Sequence, residues 1–411
     1  MITRSRAAFT FIFITVLLDM IAFGVIIPVL PQLLVHLQGG DLASGAAIYG
    51  LFGTAFALMQ FFFSPVLGAL ADRFGRRPVI LLSNLGLGAD YVVMALAPTV
   101  PILFLGRVIS GITASSFSTS GAYVADVTPP EKRAARFGML GVAFGLGFII
   151  GPALGGVLAS IDLRAPFWAA AALSFANFLY GLFILPESLP KERRGPFRPK
   201  AANPIGAMRF LGSRPVLTSL AFAASFAYLA HDSLPNTFVL YSAHRFGFDE
   251  PTIGLGLAIA GASSLVVQGG VVGRVVKAVG EHRALLTGLV IGGAAQLLLG
   301  LAPTGVLFLL SIPVWSFFGL VGPSLQSIAS REVAPNEQGQ LQGALASLRS
   351  MVTLISPILY TQTFALAIGP LAWIGLPGAA FLLSALFLAA AAFVFTRQGS
   401  LSAQRAASEM S

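Results

Sequence analysis

Residues 68–78 read GALADRFGRRP, and 205 residues later the chain reads GRVVKAVGEHR at 273–283. Each stretch is a short charged loop between two long apolar runs. Six glycine or proline positions recur at this offset: Gly68 and Gly273, Gly75 and Gly280, Pro98 and Pro303, Pro130 and Pro335, Gly138 and Gly343, and Pro152 and Pro357. One constant spacing predicts a chain built from two parallel repeats.

The composition around these loops excludes a soluble protein. Of the 411 residues, 56% are hydrophobic and only 10% are charged, against about 25% charged in soluble domains. The polar surface that a soluble enzyme needs is missing, and a disordered or fibrous chain would be far less apolar. Lipid is therefore the expected solvent for most of this chain.

Twelve apolar runs are each long enough to cross a membrane as a helix, which takes about 20 residues. They lie at 9–37, 46–71, 78–97, 100–126, 136–160, 165–186, 214–243, 251–277, 283–302, 304–330, 338–366 and 371–396. The sequence thus predicts an all-α membrane protein with twelve transmembrane helices in two pseudo-symmetric six-helix bundles.

The basic residues orient these helices. With the N-terminus inside, 21 of the 25 lysines and arginines fall in cytoplasmic segments, and only Arg164 and Arg245 fall in outer loops. This bias predicts that both termini are cytoplasmic. It also explains the net charge of +9 without nucleic acid. The predicted domains are an N-terminal bundle (1–186), a linker (187–213), a C-terminal bundle (214–396) and a tail (397–411).

Several ionisable residues lie inside apolar runs, where a charge is costly unless it faces a cavity or a partner. In the first half these are Asp19, Asp90 and Arg107. Asp19 is a candidate proton site, with pairing to Arg107 as the structural alternative. Arg107 could instead extend to the outer surface.

The second half contains His231, Asp232 and Arg349 inside its runs. We expect Arg349 to be balanced by Asp232 or His231, as Arg107 and Asp19 balance each other. His231 is an alternative proton site. No ATP-binding loop, hydrolase motif or metal-ligand spacing is present, and the chain has no cysteine. A gradient is therefore the expected energy source, with no cofactor.

Two glycine motifs complete the candidate sites. Glycines four apart, beside a proline, form a smooth and bent helix face for close packing; they are Gly147, Gly151, Pro152, Gly155 and Gly156. The loop after helix 2 is the candidate gating motif, with Gly68, Asp72, Arg73, Gly75, Arg76, Arg77 and, at the end of helix 4, Asp126. The structural alternative for the glycine helix is ordinary packing, and the alternative for the loop is ordinary cytoplasmic charge.

Together these strings resemble the drug:proton antiporter branch of the major facilitator superfamily. Over nearly its whole length the chain is similar to the bacterial tetracycline efflux antiporters. The matching segments are LLD…PVLP at 17–31, DRFGRRPV at 72–79, DY at 90–91, LGRVISGIT at 105–113, FGLG…GP at 144–152, RFG at 245–247 and EQGQLQG at 337–343.

The resemblance implies a proton-coupled exporter of amphipathic drugs in the bacterial inner membrane, working by alternating access and expected to be a monomer. It implies that Asp19 and Asp90 are transport carboxylates, that Arg107 couples protons, and that Gln268 lies near the drug. It also implies that the glycine-rich helix at 147–156 carries the antiporter motif, which favours exchange over uptake. Ser264 and Gly292 stand where the family has a histidine and an aspartate. His231 and Asp232 are therefore added as proton-coupling candidates.

Two other functions stay open at this stage. The same fold could export an endogenous metabolite, such as a sugar or organic acid, because Arg107 and Arg349 facing a cavity would suit an anion. A non-transporting membrane sensor or scaffold is the alternative of another class. For the exporter, the substrate-binding candidates are Asp19, Arg107, Gln268 and Arg349.

Overall fold

The computed structural model describes residues 2–114, 116–195, 209–334 and 337–409. Within these ranges the chain is helical, with no β-strand. The first-half helices are α1 (Ile2–Ile26), α2 (Leu30–Leu37), α3 (Leu42–Phe74), α4 (Arg76–Leu96), α5 (Val100–Thr113), α6 (Ser116–Val127), α7 (Pro130–Ala159) and α8 (Ala165–Phe183).

The second half follows the same plan with more interruptions. Its helices are α9 (Pro215–His231), α10 (Ser233–Phe246), α11 (Glu250–Val266), α12 (Val272–Val279), α13 (Glu281–Leu301), α14 (Gly305–Trp315), α15 (Val321–Arg331), α16 (Gln338–Ile368) and α17 (Ala379–Glu409). A π-helical segment (Val267–Val271) links α11 to α12, and a 3-10 segment (Ser316–Leu320) links α14 to α15.

The chain separates into two compact units, each described by itself below. The first contains the described residues of Met1–Ala202 together with Gly247–Ala262; the second contains those of Asn203–Phe246 and Ser263–Ser411. The first part of α11 thus packs with the first unit. The division into two six-helix bundles at 186 and 214 stays a prediction, and the linker is described only at 187–195 and 209–213.

Eleven helical stretches of the described chain are long and apolar enough to cross a membrane. The remaining run predicted from the sequence, the seventh at 214–243, is present as two shorter helices, α9 of 17 residues and α10 of 14, separated at Asp232. Neither reaches the length of a span by itself, although together they do.

The sequence repeat is visible in the helix boundaries. Both bounds of α13 and the first residue of α14 lie 205 positions after those of α4 and α5. Gly75 and Gly280 occupy the turns before α4 and α13 with φ of 108° and 79°. Side chains rarely adopt such angles, so glycine is required at both turns. Residues that are 205 positions apart at these turns therefore share the same backbone geometry.

Prolines explain three helix interruptions. A proline has no N–H, and its ring collides with the carbonyl four residues earlier. Pro28 lies in the turn between α1 and α2, Pro235 follows the break at Asp232, and Pro323 follows the 3-10 segment. Each interruption leaves main-chain carbonyls that other groups must satisfy inside the membrane.

Each unit has its own buried core. In the first, Leu34, Phe52, Met94 and Phe167 belong to one apolar cluster that α2, α3, α4 and α8 share. In the second, the ring of Tyr241 lies among those of Phe308, Phe364 and Phe381, with centroids 5.1 to 6.4 Å away. These cores fix the helices from which the candidate site residues project.

Candidate functional site

Asp19 lies on α1 and is almost completely buried. Its Oδ1 accepts a hydrogen bond from Asn177 Nδ2 on α8 at 2.7 Å, and the same amide group donates to the Thr15 carbonyl at 2.9 Å. Asn177 is itself fully buried. A neutral amide from α8 thus orients this carboxylate.

Asp90 on α4 packs directly against α5. A Cβ placed on Gly106 would lie 2.6 Å from Asp90 Oδ1, so only glycine leaves room for the carboxylate. The neighbouring Arg107 acts on Asp90 electrostatically, and its guanidinium carbon lies 4.7 Å from the centre of the Phe56 ring. Carboxylate and guanidinium are both buried.

This arrangement adds Asp90 as a neighbour of Arg107, and the pairing of Asp19 with Arg107 stays a prediction. The carboxylate that packs beside the Arg107 segment is that of Asp90. The sequence could not show this, because this contact depends on α4 lying against α5 at Gly106.

The second unit contains the pair expected from the sequence. Arg349 Nη2 lies 2.6 Å from Asp232 Oδ1, and its Nη1 donates to the Tyr228 carbonyl at 3.2 Å. His231 Nδ1 lies 3.2 Å from the same Asp232 oxygen. The Asp232 side chain is 7% exposed, whereas those of Arg349 and His231 are 36% and 50% exposed. A buried acid therefore has two accessible basic neighbours.

Gln268 lies on the π-helical segment, and its side chain is exposed. Its Nε2 donates to Ser264 Oγ at 2.7 Å, and its Cγ would lie 3.3 Å from a Cβ on Gly319 in the 3-10 segment. Two irregular segments therefore meet at this glutamine. Single turns of π-helix often mark functional positions.

Phe318 and Trp315 belong to this region, although sequence reasoning did not select them. Their rings stack at 4.7 Å, and the His231 ring lies 5.7 Å from that of Phe318. Phe318 also lies 3.3 Å from a Cβ placed on Gly292, so an aspartate there would have little room. Both aromatic residues occur within an apolar run, and no sequence pattern distinguishes them from ordinary core residues.

Three residues of the gating motif form an ionic network in the first unit. Arg76 binds Asp72 Oδ1 at 2.6 Å and Asp126 Oδ2 at 3.2 Å. Arg77 donates to the carbonyl of Leu182. Arg73 is exposed beside the ring of Phe74, and Gly68 has open space where a Cβ would point.

Glu187 joins this network from the start of the predicted linker. Its two oxygens accept from the main-chain N–H groups of Arg76 and Arg77 at 2.9 and 3.3 Å. These are the first residues of α4, where a carboxylate is favourable because it accepts free N–H groups at the positive end of the helix dipole. The sequence did not indicate this contact.

The glycine face of α7 packs tightly on α1. A Cβ on Gly151 would lie 2.7 Å from the Gly24 Cα, and one on Gly155 would collide with the Val25 carbonyl. Gly147 makes the same kind of contact with Met20. The neighbouring Gly156 and Pro152 approach Gly254 in α11 instead. One helix therefore contacts two others almost backbone to backbone.

Comparison with known proteins identifies the family. The model of the Major Facilitator Superfamily matches residues 12–357. The chain belongs to the Major Facilitator Superfamily. It is 38% identical to the tetracycline resistance protein, class C, of Escherichia coli, over 90% of this chain and 94% of that protein. It is 29% identical to multidrug resistance protein 2 of Bacillus subtilis, over 87% and 89% of the two chains.

Solved structures agree with this assignment. The human organic anion transporter MFSD10 (TETRAN) superposes with a TM-score of 0.68 at 28% identity, over 95% of this chain and 99% of that one. The predicted major facilitator fold is therefore confirmed, and the protein is a multi-pass membrane transporter rather than an enzyme.

For this transporter, the structure gathers the predicted charged residues into two groups, one in each unit. Asp19, Asp90 and Arg107 lie in the first, and His231, Asp232 and Arg349 lie in the second with Gln268. In the described part of the chain no group of histidines and acids could hold a metal ion. Which of these side chains bind cargo or protons stays a prediction.

Proposed function

We propose that this protein is a proton-coupled antiporter that exports amphipathic drugs, tetracycline-like compounds among them, by alternating access. In this proposal it acts as a monomer in the bacterial inner membrane with both termini in the cytoplasm. Its partners are the cargo, protons and lipid, and it needs neither cofactor nor nucleic acid.

The observation that carries the proposal is the Asp232–Arg349 pair with His231 beside it. A carboxylate buried in a membrane protein is costly unless a cation or a proton compensates its charge. Here the acid is buried while the arginine, 2.6 Å away, is 36% exposed. Cargo that draws Arg349 away would leave the carboxylate to take up a proton. Exchange of a proton for cargo is the chemistry that antiport requires.

Asp19 and Asp90 extend this scheme to the first unit. Asp19 is oriented by the neutral Asn177, and Asp90 lies within the field of Arg107. Both can alternate between a charged and a protonated state as their surroundings change. A membrane potential supplies about 2.3 kcal/mol per charge at 100 mV, enough for roughly a fiftyfold cargo gradient per proton.

The names of the relatives support drugs as cargo. Proteins called tetracycline resistance proteins, of classes C, G, E, D and B, are 34% to 38% identical to this chain over most of their lengths. The glycine face of α7, which resembles the antiporter motif of the superfamily, supports exchange as the mode of transport.

An organic anion is the second candidate cargo. The partly exposed Arg349 guanidinium offers planar, two-pronged binding to a carboxylate. A relative of solved structure is described as an organic anion transporter. An anionic cargo would compete with Asp232 for Arg349, so the coupling step would be the same.

Drug susceptibility and reconstituted transport together test the proposal. Expression in a bacterial host that lacks its own efflux pumps should raise tetracycline resistance. In proteoliposomes, an imposed pH difference should drive tetracycline transport and drug should release protons. Absence of resistance to every compound of a broad panel, with no drug-dependent proton movement, would disprove the proposal. Movement of organic anions alone would favour the second cargo.

Asp19→Asn is the first variant for this assay. It should express normally and lose gradient-driven export, because the amide cannot take part in proton exchange. Asp41→Asn is the matched control, since Asp41 lies at an exposed helix start where asparagine caps equally well. Wild-type export by Asp19→Asn would remove Asp19 from the mechanism.

A further inference from the structure

The break at Asp232 between α9 and α10 is built from contacts with three other helices. Pro235 cannot donate to the His231 carbonyl, so the regular helical pattern ends there. At the end of α9 the Asp232 N–H donates to the carbonyls of Tyr228 and Leu229, at 3.3 and 3.0 Å. Side chains from elsewhere in the second unit supply the other donors.

Two of the last carbonyls of α9, those of Leu229 and Ala230, receive such donors. Tyr360 of α16 donates its hydroxyl to the Leu229 carbonyl at 2.7 Å. Ser384 of α17 donates to the Ala230 carbonyl at 2.9 Å, and Ser233 donates to the same oxygen at 2.8 Å. Tyr360 and Ser384 are both fully buried.

Gln296 of α13 completes the arrangement. Its Nε2 donates to Ser233 Oγ at 2.9 Å, which aims the serine hydroxyl at the Ala230 carbonyl. The Gln296 side chain is fully buried within an otherwise apolar helix. A buried amide is costly there unless its hydrogen bonds serve the structure around it.

We propose that Tyr360, Ser384 and Gln296 are positioning residues: they hold the α9–α10 break in the one geometry that directs Asp232 at Arg349. The inference rests on the proposed function, because Asp232 and Arg349 matter for coupling only in an antiporter. Their hydrogen bonds go to main-chain carbonyls and to Ser233, so we expect their effect to pass through the main chain at 229–233.

The deciding comparison is Tyr360→Phe against Tyr241→Phe. Both changes remove only a hydroxyl from a buried tyrosine of the second unit that donates to a main-chain carbonyl. The Tyr241 hydroxyl donates to Gly300 at 3.2 Å, away from the break. A general loss of stability would therefore affect both variants, whereas loss of positioning would affect Tyr360→Phe alone.

Two measurements are made on each variant. In proteoliposomes with tetracycline as probe, we expect Tyr360→Phe to lower turnover on the order of tenfold, because small displacements of reacting groups have large effects on rate. The half-saturating drug concentration should change less than twofold. In detergent, hydrogen exchange at the amides of residues 229–236 should increase. Tyr241→Phe should change none of these quantities.

Ser384 provides a second variant pair. Ser384→Ala should reproduce the effect of Tyr360→Phe, and Ser384→Thr, which keeps the hydroxyl, should restore turnover. Wild-type turnover and exchange in Tyr360→Phe would overturn the inference, and so would equal losses in Tyr241→Phe. If the wild type itself moves no tetracycline or protons, the proposed function fails. The hydrogen-exchange comparison of the two variants needs no cargo, so it would still decide whether Tyr360 holds the break between α9 and α10.

Discussion

The Asp232–Arg349 pair gives the sharpest quantitative prediction. Arg349→Gln leaves the Asp232 carboxylate, 7% exposed, without the guanidinium that lies 2.6 Å away. Breaking a buried pair by removing one partner costs about 3–5 kcal/mol of stability. Because Arg349 is itself 36% exposed, solvent screening places the expected loss near 3 kcal/mol.

Removing the acid instead of the arginine should cost less stability. Asp232→Asn leaves Arg349 partly in solvent, beside the Tyr228 carbonyl and ring. We expect a loss of about 1–2 kcal/mol from the weakened hydrogen bond. The double variant has no buried charge left without a partner, so the two losses should fall short of additivity by about 2 kcal/mol.

Denaturant unfolding of the four purified proteins in mixed micelles would measure this coupling. Arg283→Gln, on an exposed arginine of the same unit, is the control for loss of a positive charge. In proteoliposomes Arg349→Gln should abolish export, and the added Asp232→Asn should restore stability without restoring proton-driven export, because the amide cannot take up a proton. Additive losses of stability within about 0.5 kcal/mol would refute the pairing argument.

Three further predictions concern other parts of the molecule. Gly155→Ala should prevent folded protein from accumulating, because its Cβ meets rigid main chain of α1, whereas Gly138→Ala on the same helix meets open space and should be neutral in an expression and size-exclusion assay. Gly106→Ala should express but lose transport, since its Cβ displaces the Asp90 carboxylate. Glu337, outside the spans, accepts hydrogen bonds from the Ala334 N–H and from Arg214, and both lower its pKa below the ordinary 4.5. The ionised carboxylate therefore stabilises the folded protein above pH 4.5, and this stabilisation is lost as the pH falls through the lowered pKa. Glu337→Gln should make the free energy of unfolding depend less on pH in that acid range.

Much of the fold followed from the sequence alone. Apolar length predicts helices, because each span must satisfy its own main-chain hydrogen bonds in lipid. The offset of 205 predicts equivalent turns, and Gly75 and Gly280 share the unusual φ that such turns need. Asp232 and Arg349 were selected together because both are charges within apolar runs.

The tertiary structure decided the partners and the breaks. That Asp90 packs beside the Arg107 segment depends on the close approach of α4 and α5 at Gly106. The contacts of Phe318, Tyr360 and Gln296 with the site join positions dozens of residues apart in the chain. Helical periodicity fixes which side chains share a face, but long-range packing fixes which faces meet, and a hydroxyl or ring in an apolar run carries no sign of its partner.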